Sequence, residues 1–433
     1  MFALAGLGLL VFVFAAVNWH WLRANVVTYG WDRLDHLITS LVYNDLVKSW
    51  SLRTPFDLLA YSSYYPPLFH YSVVGLYQVF GVDEDIAVMA NVLYLAILLG
   101  STWSIARRVS GPWTALFAAF LLTMFPIVFA MSRYLYIDFA LTALVALTIA
   151  LLLATERFSR RSRALWLGVA LGGALLMKWT TAAFVVGPLL CVVVRSGMLP
   201  VFWRNPRVLI PNWRRLALSL LASAIAYALL LWPAQATVAQ SWLGWWLYPV
   251  LTLFGAAALY ACFGARPVVT GAAQALQNAM RAAAIVLWLF SLWYVINPEF
   301  VDLFAYTAYG REAPFMAFGK YFYEVSTEQL GLVLALVFLV VAIVWFWQHR
   351  KELPSTLRSL SDTAWILVLW VLVAYFIFSF RVTLAHSRFV MPFLPPFAIW
   401  IAVGVSQWRP HWWRSGGHRN HPFCHRAICA DLV

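Results

Sequence analysis

Charged residues are scarce in this sequence, and their scarcity excludes a soluble globular protein. Asp, Glu, Lys and Arg make up 11% of the 433 residues, whereas 63% of the residues are hydrophobic. A water-soluble fold cannot bury so much apolar surface, while helices satisfy their own backbone hydrogen bonds in lipid. We therefore predict an all-α polytopic membrane protein.

Several other features are missing. The four cysteines lie in apolar runs or near the C-terminus, which argues against a disulfide framework. No Gly-rich phosphate loop or hydride-cofactor fingerprint occurs, which argues against ATP-driven transport by this chain alone. The apolar start has no basic segment before it and no small-residue cleavage site after it, so we interpret it as a retained membrane helix rather than a signal peptide.

Long apolar segments are abundant. A span needs roughly 15 to 21 residues, and about twelve segments qualify, at approximately 2–21, 86–106, 112–131, 138–154, 164–177, 180–195, 216–232, 243–263, 282–296, 330–348, 363–380 and 389–407. The apolar stretch 68–80 is too short to span and follows a Pro-Pro pair, so we predict an interfacial or re-entrant helix there.

The net charge of +13 is explained by membrane topology. With these spans, most Lys and Arg residues fall in loops on one side, and the positive-inside rule makes that side and both termini cytoplasmic. We therefore predict a multi-pass protein of the plasma (inner) membrane, and we expect no nucleic-acid partner. Residues 1–407 form the membrane domain, with large outer loops at 22–85 and 297–329, and residues 408–433 are predicted to be a disordered cytoplasmic tail.

Residues 31–71 are the most polar part of the N-terminal half and contain four acidic residues. Helical spacing puts one set of apolar residues on a single face: Leu34, Leu37, Ile38 and Leu41. The opposite face carries Asp32, Asp35, His36 and Thr39. We predict an amphipathic surface helix that shows these polar groups to water. Asp32 and Asp35 fit a helix cap, and either fits a general base.

Four further charged residues lie at predicted span ends. Asp138 opens an apolar run in SRYLYID, where a charge is costly unless it is paired or used, and Arg133 precedes it. Lys178 lies between two apolar segments and either extends to the interface or binds a lipid phosphate. Arg388 follows His386 ahead of a Pro-containing span. The second outer loop has weaker candidates, namely Arg311, Lys320, Tyr321 and Tyr323.

The order of these motifs resembles a known family. An acidic helix after the first span is followed by YYPPLFH, RYLYID, GVALGGALLMK and SRFVMPFLPPFA. This order resembles the GT-C class of polytopic glycosyltransferases, and most of all the superfamily of protein O-mannosyltransferases and aminoarabinose transferases. The resemblance is strongest over residues 1–195 and returns at 385–405.

The resemblance implies an enzyme that transfers a sugar from a polyprenyl-phosphate donor to a lipid, glycan or protein acceptor on the outer membrane face. It implies Asp35 as the general base, with Asp32 as the alternative and Asp138 as a second catalytic acid. The positional matches for donor and phosphate binding are Lys178, Arg388 and, more weakly, Arg133. His386 and Tyr65 complete the candidate substrate-binding residues.

The chain departs from the family at one place that concerns metals. Some relatives have Glu-Lys just before the Pro pair, whereas this chain has Tyr64 and Tyr65. We therefore assign no residue to a metal, although a divalent metal remains compatible with the resemblance. The alternative function is a carrier or flippase for a lipid-linked or small anionic substrate. Grouped outer carboxylates and the lack of internal repeats favour the enzyme.

Overall fold

The computed structural model describes residues 2–25, 30–62, 64–204, 212–231, 244–264, 270–297, 314–381 and 386–407. Within them the chain forms helices and no strands. The helices are α1 Phe2–Ala24, α2 Trp31–Lys48, α3 Thr54–Ala60, α4 Leu68–Phe80, α5 Glu84–Ala106, α6 Pro112–Met124, α7 Pro126–Met131, α8 Ile137–Ala154, α9 Arg161–Leu175, α10 Thr181–Arg195, α11 Met198–Arg204, α12 Trp213–Leu231, α13 Gly244–Leu259, α14 Ala272–Tyr294, α15 Pro314–Glu324, α16 Leu332–His349, α17 Leu353–Arg358, α18 Asp362–Arg381 and α19 Leu394–Gln407. Short π-helices follow α13 and α15, and a 3-10 helix, Ser387–Phe393, precedes α19.

The prediction of an all-α polytopic fold is confirmed, but the predicted number of spans is not. By length and composition, eight described helices can cross a membrane, or nine if the bent pair α10 and α11 counts as one span. Within the described residues, each of the twelve predicted segments contains helix, yet several of these helices are short or broken. The predicted span 112–131, for example, is divided at Phe125, where extended backbone precedes Pro126. Proline has no N–H to donate and is well tolerated at the start of a new helix.

Helix α8 is the centre of the molecule. It has no charged residue after Asp138 in its first turn, and 83% of its residues are buried. It packs against α5 on one side and α9 and α10 on others, and its N-terminal end contacts the 3-10 helix Ser387–Phe393. A helix that is hydrophobic on every face must be covered by lipid or by other helices, and the burial of α8 shows that its cover is protein. The N-terminal end of α8 is therefore surrounded by protein.

The end of α8 opposite Asp138 is also tied to its neighbours. Asp362, in the first turn of α18, accepts hydrogen bonds from Arg157, with Nε at 2.5 Å, and lies 2.7 Å from Arg195 Nε at the end of α10. Residues 156–158 have positive φ angles of 50°, 57° and 65°. The side-chain amide of Asn278 in α14 donates to the carbonyl of Phe158 at 2.8 Å and stabilises this turn.

The first loop folds over the same region as the N-terminal end of α8. Helix α2 packs on α4, and α4 packs on α5. The predicted helix at 68–80 forms as α4, which ends at Gly81 with a φ of 88°. Asp83 caps α5, because its carboxylate accepts hydrogen bonds from the backbone N–H groups of Asp85 and Ile86.

The predicted orientation of α2 is wrong for part of its polar face. His36 is only 1% exposed, and Thr39 and Ser40 are buried as well, whereas Leu34 and Ile38 are 45% and 46% exposed. His36 and Thr39 of the polar face are therefore buried, while Asp35 of that face stays exposed and part of the apolar face points outward. The predicted cap is wrong too, since Gly30 is the N-cap and Asp32 lies within the first helical turn.

Candidate active site

Four charged residues from distant parts of the sequence meet at the N-terminal end of α8. Lys178 Nζ lies 2.6 Å from Asp138 Oδ1. Arg388 donates a hydrogen bond to Asp32 Oδ2, and its Nε lies 3.9 Å from the second oxygen of Asp138. We call Asp32, Asp138, Lys178 and Arg388 the charge cluster. With two carboxylates and two cations, its formal charge is zero.

Each member of the charge cluster is held by a different element. Asp138 lies in the first turn of α8, where the helix dipole favours a negative charge. Lys178 lies in the tight connection between α9 and α10, and its N–H donates to the carbonyl of Ala174. Arg388 belongs to the 3-10 helix before α19, and Asp32 to α2. The cluster therefore joins four elements across sequence separations of up to 356 residues.

Burial makes Asp138 the most constrained member. Its side chain is 3% exposed, against 12% for Lys178, 22% for Arg388 and 27% for Asp32. A buried carboxylate without a cation would be strongly destabilising. Asp138 therefore forms an ion pair with Lys178 and lies close to Arg388. Both cations are more exposed than Asp138 and lie at the more open edge of the cluster.

Two aromatic rings pack against the cations. The Arg388 guanidinium lies 4.5 Å from the ring centre of Tyr136 and 5.2 Å from that of Phe389. Lys178 Nζ lies 4.8 Å from the same Phe389 ring. Such contacts stabilise a cation by about 0.5 to 2 kcal/mol without neutralising it. Tyr136 and Phe389 were not predicted as site residues, although both belong to motifs singled out in the sequence.

Asp35 lies one helical turn after Asp32 but is exposed. The pKa of Asp35 is raised, first by partial burial of its carboxyl and second by the negative charge of Asp32. The carboxyl therefore holds a proton more tightly than an isolated aspartate does. The structure thus brings Asp32, rather than Asp35, into direct contact with the cations.

Tyr65 and two histidines, His36 of α2 and His70 of α4, form a layer between these two helices. The Tyr65 ring centre lies 4.6 Å from that of His36, and His36 Nδ1 lies 3.2 Å from His70 Nε2. Burial lowers the pKa of His70 to about 3 and also lowers that of His36. Both imidazoles are neutral at pH 7 because charging a buried ring is unfavourable. This layer positions Tyr65 beside the charge cluster.

The remaining predicted residues lie at different distances from the cluster. His386 is exposed and packs edge-on against Phe389, with ring centres 5.4 Å apart. Burial, followed by the positive charges of Arg388 and Lys320, lowers the pKa of His386. Arg133 lies elsewhere, since its Nε donates to Asn18 at 2.9 Å and its guanidinium covers Phe129. Arg133 thus joins α1 to the connection before α8 and does not contact the cluster.

Of the four weaker candidates in the second outer loop, three lie in the part of the chain that the structure describes. Lys320 and Tyr323 are exposed on α15, and Tyr321 is buried. Arg311, together with the rest of 298–313, lies outside the described residues, as does the predicted tail 408–433. Within the described part of the chain, His, Cys, Asp and Glu side chains form no group of three that could bind a metal ion.

Comparison with known proteins agrees with this architecture. The sequence profile of the family described as dolichyl-phosphate-mannose-protein mannosyltransferase matches residues 65–232. No curated protein sequence matches the chain significantly.

Among solved structures, ArnT from Cupriavidus metallidurans bound to undecaprenyl phosphate is similar over 94% of this chain, with a TM-score of 0.53 and 18% identity. The apo state of the same protein gives a TM-score of 0.52 over 95% of the chain, with 17% identity. The chain spans only about 62% and 61% of the length of the apo and bound ArnT chains, respectively. The predicted resemblance to GT-C glycosyltransferases is confirmed at the level of the fold.

Proposed function

We propose that this chain is a membrane glycosyltransferase that moves a sugar from a polyprenyl-phosphate donor to a hydroxyl of an acceptor on the non-cytoplasmic face. The observation that carries the proposal is the charge cluster, in which two cations and two carboxylates meet at one end of a buried helix. The family profile and the ArnT fold support the class of reaction, and the bound undecaprenyl phosphate of one ArnT structure supports the class of donor.

The two cations fit the leaving group of such a reaction. Transfer breaks the bond between the anomeric carbon and the phosphate oxygen, and the bonding electrons stay with the phosphate. Lys178 and Arg388 would bind that phosphate and stabilise its growing negative charge. Arginine offers two parallel donors to a phosphate, while lysine offers a compact charge. The rings of Tyr136 and Phe389 would hold both cations in place without consuming their hydrogen bonds.

We assign the general base to Asp32 rather than Asp35. The base must lie beside the anomeric carbon, which is bonded to the phosphate, and Asp32 contacts the Arg388 that would bind this phosphate. Asp32 takes the proton of the acceptor hydroxyl as its oxygen attacks the anomeric carbon from the face opposite the phosphate. The configuration at that carbon is thereby inverted. Asp138 positions the two cations.

Purified protein in detergent tests the proposal directly. Incubation with polyprenyl-phosphate sugars and an extract of membrane lipids and glycans should release free polyprenyl phosphate and produce a glycosylated acceptor, both detected by mass spectrometry. Asp32→Asn should lower this release by about a hundredfold or more. The same protein reconstituted into vesicles tests the alternative. If it moves the donor across the vesicle membrane without cleaving the sugar–phosphate bond, the carrier function is supported and the enzyme is overturned.

A further inference from the structure

A second charged site lies on the other side of Tyr136. A cavity of about 390 Å³ lies between the end of α1, the start of α5 and the connection before α8. Its charged lining consists of three arginines and three acids: Arg23, Arg33, Arg133, Asp83, Glu84 and Asp85. None of these six residues belongs to the charge cluster. The Tyr136 ring separates the two sites, since it lies 4.5 Å from Arg388 and 5.8 Å from Arg33.

Arg33 is the feature that points to a ligand. The residue is only 9% exposed, and its Nε and Nη1 atoms have no hydrogen-bond acceptor among the described residues. Its guanidinium rests on the Tyr134 ring, 4.5 Å from the ring centre. A buried cation that lacks hydrogen bonds is costly, and an aromatic face compensates only part of that cost. An anion bound in the cavity would compensate the remaining positive charge.

The acids of the lining restrict which anion fits. Arg23 is paired with Asp85 at 3.2 Å, and Asp83 caps α5, so these two acids already have partners. Glu84, on the α5 wall, is exposed. The formal charge of the lining is zero, so the acids repel a bare phosphate and offset part of its attraction to the arginines. A ligand with a phosphate and an ammonium group matches both walls.

The position of the cavity indicates a lipid. It lies where α1 ends and α5 begins, and both helices are long and apolar enough to span the membrane. Trp19 and Arg23 meet at this end of α1, 5.7 Å apart, as expected for residues at a membrane–water interface. Phospholipid head groups occupy that depth.

We propose that this cavity binds the zwitterionic head group of a phospholipid with a primary amine, such as phosphatidylethanolamine. The phosphate contacts Arg33 and Arg133, and the ammonium contacts Glu84. The proposal does not depend on the proposed glycosyltransferase activity, because the two sites share no charged residue.

Binding of short-chain lipids to the purified full chain in detergent tests the site. Dihexanoyl phosphatidylethanolamine should bind about tenfold more tightly than dihexanoyl phosphatidylglycerol, which has no ammonium, a difference of about 1.4 kcal/mol. It should also bind more tightly than dihexanoyl phosphatidylcholine, whose quaternary ammonium cannot donate hydrogen bonds. Equal binding of the three lipids would overturn the proposal. Free phosphoethanolamine should bind much more weakly, and binding as tight as that of the lipid would assign the site to a soluble ligand instead.

Three variants make the result specific. Arg33→Gln should weaken phosphatidylethanolamine binding about tenfold, whereas Lys48→Gln, at an exposed position of the same helix, should leave it unchanged. Glu84→Gln should abolish the preference for phosphatidylethanolamine over phosphatidylglycerol. Because Glu84 is exposed, this variant gives a decisive answer even if Arg33→Gln fails to fold. A preference that survives Glu84→Gln rejects the assignment.

Discussion

At the scale of single residues, the two neighbouring aspartates of α2 differ in what they contact. Asp32 accepts a hydrogen bond from Arg388, whereas Asp35 is exposed and its pKa is raised by burial and by Asp32. We expect Asp32→Asn to lower the turnover rate by about a hundredfold or more, the usual contribution of a general base. Asp35→Asn should lower it by less than about tenfold. Turnover measured with saturating donor checks this, and the reverse order would assign the base to Asp35.

The ion pair of Lys178 and Asp138 serves both stability and donor binding. Lys178→Met should destabilise the protein by about 3 kcal/mol, because it removes the nearer of the two cations that face the buried Asp138 carboxylate. Asp138→Asn combined with Lys178→Met should recover most of that stability, since neither charge then remains. Thermal unfolding in detergent gives the comparison.

The same double variant separates the two roles. If Lys178 binds the donor phosphate, the stable double variant should still have a KM for the donor raised about tenfold or more, the effect of one lost charged contact. An unchanged KM in a folded double variant would restrict Lys178 to a structural role.

Sequence reasoning identified all four members of the charge cluster but not their pairing. Asp138, Lys178 and Arg388 were marked as charges beside apolar runs, whereas Asp32 was marked by the helical spacing of the polar residues around it. The pairs join residues 40 and 356 positions apart, which no local pattern reveals. Arg133 shared the same signal but serves to join α1 to the rest of the molecule. A charge at a span end therefore predicts a buried partner and leaves the identity of the partner open.

At the scale of helices, the amphipathic pattern of α2 predicted the right helix but misplaced part of its polar face. The pattern assumes that polar groups seek water, yet His36 is buried against Tyr65 and His70. In a membrane protein the outside can be apolar and the inside polar, so the period of a pattern does not decide which face is buried. The count of twelve spans is not confirmed for a related reason, because an apolar segment can form a short or broken helix when other helices surround it.

Close contact between α9 and α14 depends on a glycine. A Cβ atom at Gly168 would lie 2.8 Å from the carbonyl oxygen of Ala282 and 3.0 Å from Ile285 Cβ. Small residues at helix crossings allow backbones to approach in membranes. We expect Gly168→Ala to destabilise the protein by about 1 to 3 kcal/mol.

The matched control is Gly100→Ala in α5, where a Cβ would meet nothing within 4 Å. This change should leave the melting temperature unchanged or raise it slightly, since alanine is the better helix former. Equal melting temperatures for the two variants would show that the crossing can adjust.

At the scale of the whole molecule, the charge distribution predicts which side faces the cytoplasm. Arg157, Arg195 and Asp362 meet at one end of the bundle, and the charge cluster lies at the other end of α8. An α-helix of 18 residues is about 27 Å long, close to the thickness of the hydrocarbon layer. We therefore predict that the charge cluster opens to the non-cytoplasmic side.

Chemical labelling of intact cells tests this topology. In a chain whose four cysteines are replaced by alanine, Ser51→Cys should react with a membrane-impermeant maleimide before lysis. Ser355→Cys, an exposed position between α16 and α18, should react only after lysis. The opposite pattern would invert the predicted orientation and move the active site to the cytoplasmic face.

The zero net charge of the charge cluster has a kinetic consequence for the proposed reaction. Lys178 and Arg388 are already occupied by Asp138 and Asp32, so an arriving donor phosphate must compete with carboxylates for its contacts. The same carboxylates are ready to reclaim the cations once the sugar has left. This exchange of partners weakens binding of the donor and accelerates release of the lipid phosphate product. The spent lipid phosphate is thereby kept from acting as a tight inhibitor of the next cycle.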